Sequence, residues 1–198
     1  MKKQKIDIRF GVLSLLVLFA AFSRLIPHPP NFAPIAAMAL FGAAYFSKKY
    51  IALIIPVLSM WLSDIVINNT IYAQYFDGFT FFYQGFYWTY LAFVLIGLVG
   101  FFLLKRTKPQ NILIASLSAS ILFFLVSNFG VWTSGTMYTK DFGGLLTCYT
   151  AAIPFFKNSL MGDLVYCGVL FSSFEFAQYK FPILKISKIQ YEKNLSPM

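Results

Sequence analysis

The feature that most constrains this chain is its division into long apolar runs separated by short polar or basic connections. Hydrophobic residues make up 59% of the 198 residues and charged residues only 12%, whereas a soluble domain carries roughly 25% charge. An apolar run of ~17–25 residues can cross a bilayer as a helix. The sequence therefore predicts a single all-α membrane domain, a compact bundle of about six transmembrane helices. The predicted spans are 9–26, 32–46, 50–69, 85–104, 111–129 and 158–176.

Three of these runs need interpretation. The first follows a basic start, as a signal peptide would, but the downstream chain is just as apolar, which favours a retained first helix. The second is short and rich in Ala and Gly, and it predicts either a short span or a half-helix packed tightly against its neighbours. The third contains Pro56 and is expected to bend there.

The distribution of basic residues predicts an orientation. With the N-terminus inside, only Arg24, Lys140 and Lys157 of the 16 basic residues lie on the outer side, in agreement with the positive-inside rule. Both termini, including a basic tail at 177–198, are therefore expected in the cytoplasm of a multi-pass bacterial inner-membrane protein. Because the charge of +9 is confined to these short clusters, it does not indicate nucleic-acid binding.

The longest connection is predicted on the outer side, at 130–157. It contains several glycines, and its second half is less polar. A connection of that length in a compact domain is usually ordered and functional, so a lid or a re-entrant segment is expected.

Charged residues inside the spans predict where a site would be. Arg24, Asp64 and Asp163 each fall near the outer end of a span, and ionisable residues in a membrane are a functional hypothesis by default. Helical spacing places Trp61 and Asn68 on the same face as Asp64. A polar chamber opening outward is expected. The alternative is that Arg24 pairs with one acid, the other acid bonds to an Asn or Ser, and the network only fixes helix packing.

Further candidates for contacts to a substrate lie in the outer connections and at the adjoining span ends. The loop after the first span holds the only histidine among several prolines, and the end of the fifth span mixes amide, hydroxyl and aromatic groups, as small-molecule pockets do. These candidates are His28, Asn31, Asn128, Trp132, Tyr138 and Asn158.

Catalytic and metal-binding signatures are not found in the sequence. There is no P-loop and no hydrolase or metalloprotease motif, so no enzymatic activity or cofactor is predicted. ATP-driven transport would need an ATPase partner. Cys148 and Cys167 have no CxxC partners, which argues against zinc. Buried free thiols are favoured, and a disulfide remains open.

Three segments resemble a known family. Residues 24–46 resemble the first-loop signature of an uncharacterised family of small bacterial membrane proteins described as transport proteins. Residues 127–132 and 158–163 look like that family's later motifs. More loosely, the six-helix plan is similar to the S components of energy-coupling-factor vitamin transporters and their solitary cobalamin-uptake relatives.

The second resemblance implies a ligand pocket on the outer side, roofed by the first, third and fifth loops. Two departures from the S-component pattern matter. The first helix has no Ala-xxx-Ala surface for docking an energising module, and Cys148 is the one cysteine that could act as an outer-loop ligand.

The sequence is therefore consistent with three functions. The first is uptake of a vitamin-like small molecule, cobalamin among the candidates, through an outward-facing pocket. The second is an accessory subunit of a membrane complex, which predicts mutually satisfied charges and no cavity. The third is a membrane-embedded enzyme, which predicts that Asp64 and Asp163 converge across a pocket.

Overall fold

The structure, a computed structural model, describes residues 8–185, and the regular secondary structure within these residues is entirely helical. Each predicted apolar run overlaps one α-helix. The helices are α1 (Ile8–Phe22), α2 (Ile35–Tyr45), α3 (Lys49–Thr70), α4 (Phe86–Leu103), α5 (Pro109–Ser134) and α6 (Phe142–Lys180). Three short 3-10 segments adjoin them: Ser23–Leu25, Ala73–Tyr75 and Pro182–Leu184. The predicted basic start and the tail beyond residue 185 lie outside the described residues.

Five of the six helices are long and apolar enough to cross a membrane when α1 is counted together with its 3-10 extension to Leu25, and α2 is the exception. Its 11 residues rise only about 16 Å, against ~30 Å of bilayer hydrocarbon. Of the two interpretations of the second apolar run, the structure favours the half-helix.

The half-helix α2 lies at the centre of the bundle. It contacts all five other helices, and every residue from Ala36 to Gly42 is buried. Small residues allow these close approaches, because a Cβ added at Gly42 would meet the Ala52 carbonyl and the Pro56 ring. Such small-residue contacts are how helices associate where the solvent is as apolar as the side chains.

The chain reaches α2 through a non-helical segment that enters the bundle. After α1 and its 3-10 extension, residues 26–34 run along α6, where Asn158 donates to the Pro30 carbonyl at 3.0 Å. Further along, the Phe32 and Tyr166 rings lie 5.9 Å apart. The half-helix therefore begins inside the bundle, beside the middle of α6.

The prediction of a long connection at 130–157 is wrong. α5 continues to Ser134 and α6 begins at Phe142, which leaves only residues 135–141 between them. The glycines that suggested a loop are overridden by packing of α6 against α5. The Tyr149 hydroxyl donates to the Leu125 carbonyl at 2.6 Å.

The sixth span is correspondingly longer than predicted. With 39 residues, α6 is about 58 Å long, nearly twice the ~30 Å hydrocarbon thickness. It must therefore tilt strongly or project beyond the hydrocarbon. Pro154 lies within it.

Candidate ligand-binding chamber

A large cavity in the bundle lies where α1 ends and residues 26–34 enter. We call it the central chamber. Its volume is about 560 Å³, and it mixes apolar side chains with a few polar ones. Its polar lining residues are Arg24, His28, Asn31, Ser159 and Asp163, and its apolar and aromatic lining includes Ile26, Ile35, Ile67, Ile71, Tyr72 and Phe123. The chamber is thus bounded by the segment that breaks the helical pattern.

On one side of the chamber, Arg24 and Asp64 form an ion pair of 2.6 Å. It is the one ion pair among residues 8–185. The guanidinium also donates to the Ser63 hydroxyl at 2.8 Å, and Tyr90 donates to the second carboxylate oxygen at 2.7 Å. The side chains of Arg24 and Asp64 are 15% and 5% exposed. Two parts of the predicted alternative are confirmed, because Arg24 pairs with one acid and the other acid, Asp163, bonds to Ser120.

On the other side, Asp163 interacts with the N-terminus of α2. Its carboxylate accepts the Ser120 hydroxyl at 2.7 Å, and Asp163 lines the chamber together with Ile35 and Ala36, the first two residues of α2. The first N–H groups of a helix lack intrahelical partners, and Pro34, at the N-cap position of α2, provides no side-chain cap. Asp163 therefore lies on another helix beside the N-terminus of α2, where the helix dipole favours a negative charge.

The loop residues are held in place by a tight turn. The Phe32 N–H donates to the Pro29 carbonyl at 3.0 Å, and Asn31 has a φ of 64°. Proline followed by an asparagine in the left-handed region is typical of a type II turn. The turn places the Asn31 side chain at the chamber, together with the exposed His28.

Two smaller cavities adjoin the central chamber. One, of about 300 Å³, is lined by Asp64 and Asn68 and shares Arg24, Ile67 and Tyr72 with the chamber. The other, of about 230 Å³, is lined by Asn128 and shares Asn31, Phe123 and Ser159 with it. The shared walls make the three cavities neighbours.

Four predicted site residues line none of these three cavities. Trp132 donates from its indole N–H to the Thr139 carbonyl at 2.8 Å, and Tyr138 lies in the 135–141 connection. Trp61 stacks on Phe82 with ring centroids 6.1 Å apart. The Asn158 amide donates to the Pro30 carbonyl and so positions the 26–34 segment.

Two residues that the sequence analysis missed complete the network, Tyr90 and Ser120. Ser120 could have been found, because Ala115, Ser116, Ala119 and Ser120 form a buried stripe of small residues on α5, and a polar member of such a stripe faces other helices. Tyr90 lies among many aromatic residues, and nothing in its spacing distinguishes it.

Metal ligands do not cluster in the part of the chain that the structure describes: no three His, Cys, Asp or Glu side chains meet there. Both cysteines are buried and free, as favoured from the sequence. The Cys148 thiol lies 3.5 Å from the Asn128 carbonyl.

Comparison with known proteins yields one match. No curated protein and no solved structure matches the chain. One family model matches residues 4–184, which is most of the sequence. The chain therefore belongs to the family of unknown function DUF6580.

Proposed function

We propose that this protein binds a small molecule in the central chamber and carries it across the membrane. The observation that carries the proposal is the chamber of about 560 Å³, which forms where the bundle interrupts its helical pattern. Irregular backbone at membrane depth is tolerated only where it is buried in protein or lines a cavity. Half-helices that end at a central site are a recurrent feature of transporters.

The lining and size of the chamber support a small ligand. Pockets for drug-sized ligands measure roughly 300–1,000 Å³ and combine apolar walls with a few polar groups. The Asn31 amide and the hydroxyls of Tyr72 and Ser159 are among the hydrogen-bonding groups of the lining, and Asp163 contributes a carboxylate. This size favours a ligand smaller than a corrinoid such as cobalamin.

The proposal includes an orientation. The Arg24 end of the bundle faces outward, and both termini lie in the cytoplasm of a bacterial inner membrane. The support is the scarcity of basic residues at that end, since positive charge is retained on the cytoplasmic side. Ligand would therefore enter from outside.

The other two functions have less support. An accessory subunit is favoured by the Arg24–Asp64 pair, whose charges satisfy each other, but the chamber is not expected of it. An enzyme would need two carboxylates converging on one pocket. Asp64 and Asp163 instead line different cavities and have different partners.

Native mass spectrometry of the gently purified protein tests binding. The wild type should carry a co-purifying small molecule. Ser159→Phe should lose it because the new ring fills the chamber, whereas Ser172→Phe, on an exposed face of the same helix, should retain it. Asn31→Gly keeps the positive φ at no steric cost and should weaken binding without unfolding the protein.

A ligand-free wild type that co-purifies with protein subunits would contradict the proposal and favour the accessory subunit. If a ligand is found, its uptake into proteoliposomes tests transport. Uptake by the isolated chain would show that no partner is needed. Binding without uptake would call for an energising ATPase module.

A further inference from the structure

The amide of Asn68 has an unsatisfied donor beside the central chamber. Asn68 is 6% exposed, and its Nδ2 group is buried with no hydrogen-bond partner within residues 8–185. A buried polar group without a partner destabilises the folded state, and native proteins keep few of them. An acceptor supplied by a ligand would satisfy this donor.

The neighbouring asparagine shows that the local backbone can satisfy an amide. Asn69 donates from its Nδ2 to the Ile65 and Thr80 carbonyls, both at 2.8 Å, and its oxygen accepts the Thr80 N–H at 2.7 Å. These bonds attach the connection between α3 and α4 to the end of α3. The connection is thereby held beside Asn68.

The cavity that Asn68 lines is largely aromatic. We call it the aromatic pocket; its volume is about 300 Å³, and Tyr72, Tyr75, Phe76 and Tyr83 line it. Aromatic side chains prefer offset-stacked or edge-to-face contacts with other rings. Arg24 and Asp64 are also present, but each is engaged by the other, so the pocket offers no unpaired charge.

We propose that the aromatic pocket binds a flat, neutral heteroaromatic ring whose acceptor atom receives the Asn68 Nδ2–H. Because Arg24, Ile67 and Tyr72 line both this pocket and the central chamber, the remainder of the same molecule would occupy the chamber. The inference rests on the proposed function and adds the chemical class of one part of its ligand.

The test compares two rings of the same shape, 7-hydroxyquinoline and 2-naphthol, which differ only by a ring nitrogen acceptor. Binding to the full chain in lipid nanodiscs is measured by calorimetry, and empty nanodiscs correct for partitioning into lipid. The wild type should prefer 7-hydroxyquinoline about three- to tenfold, the range that one net hydrogen bond supplies.

Asn68→Leu removes the donor at nearly constant shape and should abolish this preference. Asn111→Leu is the matched control, because the Asn111 amide bonds the Arg106 carbonyl at the start of α5, and the preference should survive there. Asn68→Leu should also raise the Tm of the ligand-free protein, because an unsatisfied donor is replaced by an apolar group.

The proposal is overturned by equal affinities for the two rings, by a preference that survives Asn68→Leu, or by a lower Tm of that variant. It is also overturned if neither ring binds. That result would leave the proposed function standing wherever a co-purifying ligand is still lost in Ser159→Phe, so the two failures are distinguishable.

Discussion

The two ends of α2 have complementary charges but different packing. At the C-terminal end, Arg9 donates to the Tyr45 carbonyl at 2.9 Å, to the Leu184 carbonyl and to Gln178, and Tyr45 donates to Glu175 at 2.5 Å. At the N-terminal end, Asp163 lies beside the first turn of the helix. A cation at the C-terminus and an anion at the N-terminus both suit the helix dipole.

The difference lies in what surrounds these groups. At the Arg9 end the described cavity measures about 210 Å³, and at the Asp163 end the central chamber measures about 560 Å³. The Asn68 donor, also near that end, has no partner in the described chain. The C-terminal end of the half-helix is thus held by direct hydrogen bonds beside a small cavity, and the N-terminal end borders the larger central chamber. This contrast is why we assign ligand entry to the Arg24 end.

The largest expected effect comes from breaking the Arg24–Asp64 pair. Arg24→Leu leaves a buried carboxylate without its cation, which costs about 3–5 kcal/mol of stability. The double variant Arg24→Leu/Asp64→Leu should recover much of the loss, because it removes both charges. Thermal unfolding in nanodiscs measures both. A single variant as stable as the double would mean that the pair is not buried as described.

Arg9→Leu should be the next most harmful change, at about 2 kcal/mol, because it leaves buried carbonyls without a donor. It should not alter ligand affinity, since Arg9 lies at the opposite end of α2 from the chamber. Unfolding and calorimetry on the same sample measure both quantities. A large loss of affinity would show that the two ends are coupled rather than independent.

Asp163→Asn should cost about 1 kcal/mol, because the neutral amide loses the favourable interaction with the helix dipole. Unlike Arg9→Leu, it should also reduce ligand affinity, because Asp163 lines the chamber. Unfolding and ligand titration measured together separate the two effects. Unchanged affinity would limit Asp163 to its interaction with the dipole of α2.

The smallest expected effect is at Asp141, the N-cap residue of α6. The Gly144 N–H and the Thr139 hydroxyl donate to Asp141 and lower the pKa of its carboxyl below the ordinary value of 3.8. The carboxylate therefore contributes its full stabilisation at pH values above 3.8. This contribution is lost as pH falls through the lower pKa of the folded state. The Tm difference between wild type and Asp141→Asn should shrink as pH is lowered from 7 toward 3. A difference that grew with acidity would contradict this sign.

The sequence predicted the helices well where apolar periodicity and flanking charges agree, as for α3 and α4. It failed between α5 and α6 because glycines and hydroxyls weaken the local helical signal. Burial of Cys148 against α5 is a tertiary effect that a local pattern does not contain.

The site was predicted in part for a related reason. Charges are rare in a membrane, so Arg24, Asp64 and Asp163 stand out in the sequence. Which acid pairs with Arg24 depends on the rotation of the helices, and the position of Asp163 beside the N-terminus of α2 depends on where α2 begins. Neither can be deduced from residue spacing alone.

The most direct test of the account is thiol labelling from the two sides of the membrane. In a background with Cys148 and Cys167 replaced by Ala, Ser159→Cys places a thiol in the chamber, and Ser47→Cys places one at the Arg9 end. A membrane-impermeant maleimide added to intact cells should label Ser159→Cys and leave Ser47→Cys unlabelled until the membrane is opened. The reverse pattern would contradict a chamber that opens outward at the Arg24 end.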